Sequence, residues 1–275
     1  MYLWRKRTTA KWLRNRTENL RARFGGQLAI VELPGKARTL VEVCFGRRIE
    51  AKRLEREFGG TIEKLRADWL QQFARESRAK PLRIGSRLII TRDANPADKR
   101  TVVIPAAAAF GTGEHATTAM CLRILERATR NVDGAWTMLD AGTGSGILAV
   151  AGTRFGAKRI VAIDNDPLAC SIARRNARAN RAGKIEFRTG DILKEKLAEK
   201  FDVITANLFS EILFKALPAW SRRLASDGAL ILSGVLRSQE PSLVRALRRN
   251  GFAPEEIRRR GKWVALLAFR TRKRS

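Results

Sequence analysis

From residue 101 onward the chain alternates short runs of β-branched and aliphatic residues with longer stretches whose apolar positions recur at helical spacing. That alternation predicts an α/β fold, a parallel sheet with helices on both faces. The runs place strands at 137–141, 159–163, 184–188, 202–206 and 229–233, with 252–258 and 263–269 closing the chain. Only Arg259 to Lys262 separate the last two, too few residues for a helical crossover, so an antiparallel hairpin is expected there. Residues 1–64 carry a different pattern: strand-like 2–6, helical 9–23, strand-like 27–32 and 39–44, helical 48–58, strand-like 61–64. The order β-α-β-β-α-β predicts a small α+β ferredoxin-like unit. Between them, 65–100 holds a helical stretch, Lys80-Pro81, a strand-like SRLIIT and the turn-rich DANPADK, and is expected to be a linker. The domain reading is therefore 1–64, linker 65–100, main domain 101–269 and a basic tail 270–275.

Charge adds a second layer. Fifty-five Lys and Arg against 27 Asp and Glu leave +28, and the excess is concentrated at the ends: +14 over residues 1–100, +5 over 101–240, +9 over 241–275. Basic ends around a nearly balanced middle suggest contact with a polyanion such as ribosomal RNA. The three cysteines, Cys44, Cys121 and Cys170, have no metal-ligand spacing, so neither a disulfide framework nor a metal site is expected. No run approaches the roughly 20 apolar residues of a membrane span. The basic amino-terminal stretch is followed by no apolar h-region, and a cytoplasmic protein is expected.

The strongest chemical signal is TMLDAGTGSGILAVAG, a strand running through Asp140 into Gly142, Gly144 and Gly146 before a helix. Glycines at such a turn let the backbone bend tightly and let a ligand approach, while the helix start presents free N–H groups. A dinucleotide site places its third glycine five residues after the first; Ile147 stands there instead. Twenty-two residues beyond Gly142, the run RIVAID ends in Asp164, whose two oxygens can accept both hydroxyls of a ribose. Asp191, in TGDIL after the third strand, is placed to reach an adenine amine or, more simply, to cap a turn. Asp166-Pro167 reads as a helix start.

The GxGxG spacing resembles motif I of class I methyltransferases, and a second phrase narrows the resemblance. AFGTGEHATTAMCLRILE has Phe110, Gly111, Thr112, Gly113, His115, Thr117 and Thr118 in register with the FGTGxHxTT phrase of the PrmA family, the ribosomal protein L-eleven methyltransferases. FDVITANLFSEIL puts Asn207 where that family has an asparagine facing the methyl group, and LILSGVL and GKWVALLAF also match. The resemblance covers roughly residues 65–269. It departs from the family at Thr143, where cysteine is frequent, at Leu208-Phe209-Ser210, and in the strongly basic residues 1–100.

The resemblance implies a Rossmann-like class I fold and S-adenosylmethionine as cofactor, touched by Thr118, Gly142, Asp164 and Asn207, with Gly144 and Asp191 completing the expected binding set. It implies transfer to lysine side-chain or N-terminal amines of a ribosomal protein, held by the small amino-terminal unit of a monomeric enzyme. His115, the only histidine, is left to a structural hydrogen bond, and no catalytic base is assigned. Alternatives are an RNA-directed methyltransferase, for which the stacking aromatic of an NPPY phrase is missing, and a non-catalytic RNA-binding module on the same fold.

Overall fold

The apolar runs of the longer unit assemble into one seven-stranded sheet. In the computed structural model the described residues are 2–24, 28–32, 38–64, 81–92, 98, 100–105, 115–132, 134–195 and 197–271. They fall into two units, Met1–Arg78 and Ala79–Ser275.

The seven strands of the second unit are β8 (Trp136–Ala141), β9 (Ala157–Asp164), β10 (Ile185–Thr189), β11 (Phe201–Asn207), β12 (Leu224–Leu236), β13 (Phe252–Arg260) and β14 (Trp263–Arg270). Their spatial order is β10-β9-β8-β11-β12-β14-β13. The first five are parallel, and β14 runs antiparallel to both β12 and β13. The closing hairpin is present, with β14 lying inside the sheet and β13 at its edge.

The near-continuous apolar character of these strands follows from burial on both faces. Along β8, Trp136 and Met138 enter one core while Leu139 enters the other; along β9, Ile160 and Ala162 alternate with Val161 and Ile163 in the same way. Helices α4 (Ala116–Ala128) and α5 (Ile147–Arg154) cover the first face. Helices α7 (Ser210–Arg223) and α8 (Glu240–Arg249) cover the second with Leu213, Leu217, Trp220, Leu243 and Leu247. Helix α6 (Pro167–Ala179) begins as expected, with the Asp166 carboxylate accepting from the Leu168 N–H at 2.8 Å and Pro167 in the first turn.

The linker expected over 65–100 is not one connection. Residues 65–80 lie outside the described residues, whereas β5 (Leu82–Ile84), β6 (Leu88–Thr91) and β7 (Thr101–Val103) form a three-stranded sheet of the second unit. Ile84, Leu88, Ile90 and Val102 are buried in the same core as α4 and α5. Two polar clamps hold this sheet. Arg87 donates to the Glu126 and Phe155 carbonyls at 3.2 and 2.8 Å, satisfying groups at the ends of α4 and α5. Asn180, just past α6, behaves as a missing strand partner: its Oδ1 accepts from the Val103 N–H and its Nδ2 donates to the Val103 carbonyl, both at 2.8 Å.

The first unit comprises β1 (Tyr2–Thr9), α1 (Ala10–Arg14), α2 (Thr17–Phe24), β2 (Leu28–Glu32), β3 (Arg38–Phe45), α3 (Arg48–Phe58) and β4 (Thr61–Lys64). Its strand order is β2-β3-β1-β4 with every pair antiparallel. The element order is the one expected, with the first helix in two pieces. Trp4, Val41, Val43 and Phe45 pack against Leu20, Ala51 and Leu54, so helices and sheet share one core. Among the described residues no helix is long and apolar enough to cross a membrane.

Replacing Asn180 by Ala should strand the Val103 N–H and carbonyl and lower stability by about 1–3 kcal/mol. Urea unfolding of the variant checks this; an unchanged midpoint would show that the amide does not serve as a strand.

Candidate functional site

In a sheet of this order the chain leaves β8 in one direction toward β9 and β10, then crosses to β11 on the other side. The crevice at the carboxyl ends of β8 and β11 is where such folds bind ligands. Of the expected residues, Gly142 and Gly144 follow β8, Asn207 ends β11, and Asp164 ends the neighbouring β9.

The glycine turn is anchored on three sides. The Gly142 and Thr143 N–H groups donate to the Ile163 carbonyl at 2.8 and 3.0 Å, tying the end of β8 to the end of β9. Gly142 has φ +74, and a Cβ there would stand 2.3 Å from Leu208 Cδ2. Gly146 has φ +79 and sits on Ala173 of α6, whose Cβ a new methyl would meet at 2.9 Å. Asn176 Nδ2 donates to the Ser145 carbonyl at 2.8 Å from the same helix. Both glycines are required by a left-handed backbone and by a close neighbour together.

Asp164 is held rather than free to swing. Its Oδ2 accepts from the Gly144 N–H at 2.8 Å and its Oδ1 from the Asp166 N–H at 3.1 Å. Each oxygen keeps a further lone pair for a ligand hydroxyl. Gly142, Asp164, Asp191, Ile192 and Leu208 line one cleft of about 80 Å³. Within it Asp191 also caps a turn, its Oδ1 accepting from the Leu193 N–H at 3.0 Å. The capping reading of Asp191 and its placement in the cleft therefore hold together.

Asn207 and Thr118 meet each other beside this cleft's wall-forming residue Leu208. Asn207 Nδ2 donates to the hydroxyls of Thr117 and Thr118, at 3.2 and 3.3 Å. Its Oδ1 is buried and has no hydrogen-bond partner among the described residues. His115 precedes α4, with Nδ1 2.6 Å from Thr117 Oγ1 and its ring edge-on to Trp263 at 5.1 Å. Burial, helped by the Lys262 ammonium, pushes the imidazole below its ordinary value, so the ring is neutral near pH 7. The FGTGE portion of the phrase before His115 lies outside the described residues.

Three contributors were not among the expected site residues. Asp140, fully buried under the turn, accepts from the Thr205 and Thr143 hydroxyls, each at 2.7 Å. Burial raises its carboxyl from 3.8 to about 6, against the opposing pull of those hydroxyls and the Ala149 amide. Its place near the end of β8, two positions before Gly142, was the signal. Thr117 adjoins Thr118, and its hydroxyl likewise accepts from Asn207 Nδ2. Leu208 follows Asn207 in sequence, yet only the folded chain reveals that it lies over Gly142.

A family model described as "Ribosomal protein L11 methyltransferase (PrmA)" matches residues 35–271. The ribosomal protein L11 methyltransferase of Pelotomaculum thermopropionicum is 41% identical over 194 residues, covering 69% of this chain and 62% of that protein. That of Dictyoglomus turgidum is 30% identical over 253 residues, covering 90% and 80%. The crystal structure of a ribosomal protein L11 methylase from Lactobacillus delbrueckii subsp. bulgaricus superposes with a TM-score of 0.62 at 31% identity, covering 70% of this chain and 99% of that one. The chain thus spans about three fifths of the length of relatives such as the first.

Two outcomes follow from this geometry. Gly142→Ala should lose about 1–2 kcal/mol from its left-handed backbone, plus the cost of displacing Leu208; adding Leu208→Ala should return only the second part, which a double-mutant cycle in urea will resolve. Asp140 binds its proton more tightly folded than unfolded, so its stabilisation is complete below pH 3.8 and is lost as pH rises through about 6. Relative to Asp140→Asn, the parent chain should therefore lose up to about 3 kcal/mol between pH 4 and 7; parallel stability curves would refute the buried, shifted carboxyl.

Proposed function

Because the chain belongs to the family of ribosomal protein L11 methyltransferases, we propose that it transfers methyl groups from S-adenosylmethionine to lysine side-chain or N-terminal amines of a ribosomal protein. The observation that carries this reading is a buried acceptor without a partner among the described residues, Asn207 Oδ1, next to the cleft that Gly142, Asp164 and Asp191 line at the glycine turn.

The residues present fit the cofactor. The Asp164 carboxylate, prealigned by the Gly144 and Asp166 amides, would take the ribose hydroxyls. Gly142 offers backbone without a Cβ, and Asp191 an acceptor for the exocyclic amine of adenine. Thr118, at the start of α4, would face the methionine end. When bound, the cofactor supplies an electrophilic methyl carbon on a positively charged sulfur.

What this chain must add is alignment and the exclusion of water. Asn207 Oδ1, fixed by its amide nitrogen on Thr117 and Thr118, would accept an N–H of the incoming amine and aim its lone pair. Only a neutral amine can attack. A lysine at its reference pKa of about 10.4 is neutral in roughly one molecule in 2,500 at pH 7, an α-amine near 7.7–8.0 in about 10–15%. Burial beside a positive charge lowers a lysine pKa by up to about 3 units, which supplies the neutral form without a dedicated base. His115, bound to Thr117 and packed on Trp263, is a scaffold for Asn207 on this reading. The small amino-terminal unit would present the substrate to a monomeric enzyme in the cytoplasm.

Incubation with labelled S-adenosylmethionine and undermethylated ribosomal particles, followed by mass spectrometry, should place the label on a ribosomal protein; label on RNA alone, or none, would overturn the reading. By calorimetry Asp164→Ala should weaken cofactor binding by about 10- to 100-fold, the worth of charge-assisted hydrogen bonds.

A further inference from the structure

Helix α6 carries Arg174, Arg175 and Arg178, and the turn that follows it carries Arg181 and Lys184. Arg174 and Arg178 are spaced i and i+4 on one face of the helix, and Arg181 follows in the turn beyond its end. They line an open cavity of about 390 Å³ whose floor is Ile185 and Phe187 of the edge strand β10. Arg174 is braced, its Nη2 donating to the Phe187 carbonyl at 2.9 Å.

Several arginines elsewhere in the chain are held by carboxylates. Arg5 and Arg23 in the first unit pair with Glu42, Glu63 and Glu57, and Arg130, Arg159, Arg188, Arg258 and Arg259 in the second unit also have carboxylate partners. Among the described residues no carboxylate pairs with Arg174, Arg175, Arg178, Arg181 or Lys184. Glu186, the nearest acid along β10, is engaged by Arg159 and Arg188.

A second, independent observation is conformational. Arg181 is the one non-glycine residue with positive φ among the described residues, at +53. It closes α6, with the Ala182 N–H donating to the Ala177 carbonyl at 2.9 Å and its own N–H to the Arg178 carbonyl at 3.0 Å. Glycine is the usual residue at that position because any Cβ is strained there. The chain instead keeps an arginine in a disfavoured backbone at the mouth of a cationic groove, and strain of this kind collects at functional positions.

We propose that this groove is a binding site for single-stranded RNA, distinct from the methyl-transfer site, with Arg174, Arg178 and Arg181 on phosphates and the apolar floor against ribose or base faces. Guanidinium groups along a groove with an apolar floor suit a chain that offers both phosphates and flat base faces better than an acidic protein surface. The exposed large apolar side chains Ile49, Val132, Leu168, Leu193 and Phe209 lie outside the groove, which argues against a lipid surface. Charge totals by sequence segment pointed to the two ends of the chain, whereas this cluster lies in the nearly balanced middle.

Fluorescence anisotropy of the full chain with a labelled oligouridine, across 50–200 mM salt, tests this. Arg181→Gly should bind more weakly yet unfold at the same or a higher urea concentration, because it relieves the strained backbone. Arg174→Ala/Arg178→Ala/Arg181→Gly should weaken binding roughly tenfold and flatten the slope of log affinity against log salt by about 2, the worth of three phosphates on a single strand. An unchanged slope would overturn the proposal, as would equal loss of binding to polyglutamate or to phosphatidylserine vesicles. These readouts involve no methyl transfer, so they stand or fall separately from the reading of the active site.

Discussion

The bond from the Gly144 N–H to the Asp164 carboxylate joins the ends of two adjacent strands, and the rest of the site is organised around it. It fixes the glycine turn relative to β9, while the Ile163 carbonyl fixes the start of the same turn. A carboxylate held by amides needs no reorganisation to receive a hydroxyl, so the cost of ordering it is met by folding rather than by binding. Beneath the turn, Asp140 binds Thr143 and Thr205 across β8 and β11, so a polar layer underlies the turn that the ligand would contact. Above it, Leu208 occupies the space a Gly142 side chain would need. The expected nucleoside contacts and the expected methyl-facing asparagine are thereby linked through two consecutive residues, Asn207 and Leu208.

Much of this was legible from the order of residues alone, because parallel strands buried on both faces leave unbroken apolar runs. The runs 137–141, 159–163 and 202–206 each lie within an observed strand. Ends were harder to place. Strand β12 reaches back to Leu224 through ASDG, a segment that reads as a turn; the buried Leu224 pairs with Phe201, and a register shift accommodates the polar residues. The first helix is interrupted at Asn15 and Arg16, where the Arg16 N–H and the Thr17 hydroxyl both turn back to the Leu13 carbonyl.

What escaped the linear reading depends on partners distant in the chain. Strands β5 to β7 are short and flanked by turn residues, and only their packing on α4 and the reach of Asn180 across 77 positions make them part of the second unit. The role of Leu208 depends on Gly142, 66 residues earlier, and the unpartnered oxygen of Asn207 is visible only once its amide nitrogen is seen to be occupied. Charge behaved likewise: segment totals cannot distinguish an arginine neutralised by a glutamate on a neighbouring strand from one that faces solvent alone.

The position of β14 has a consequence for biogenesis. Of the seven strands it is the last to be synthesised, yet it lies between β12 and β13 and hydrogen-bonds to both. Until residues 263–270 leave the ribosomal tunnel, β12 has an open edge and Val235, Leu230 and Leu232 lack part of their apolar cover. Co-translational assembly can therefore complete the small four-stranded unit early but must leave the larger sheet unfinished, with a sticky border that nascent-chain chaperones would need to shield until residues 263–270 emerge.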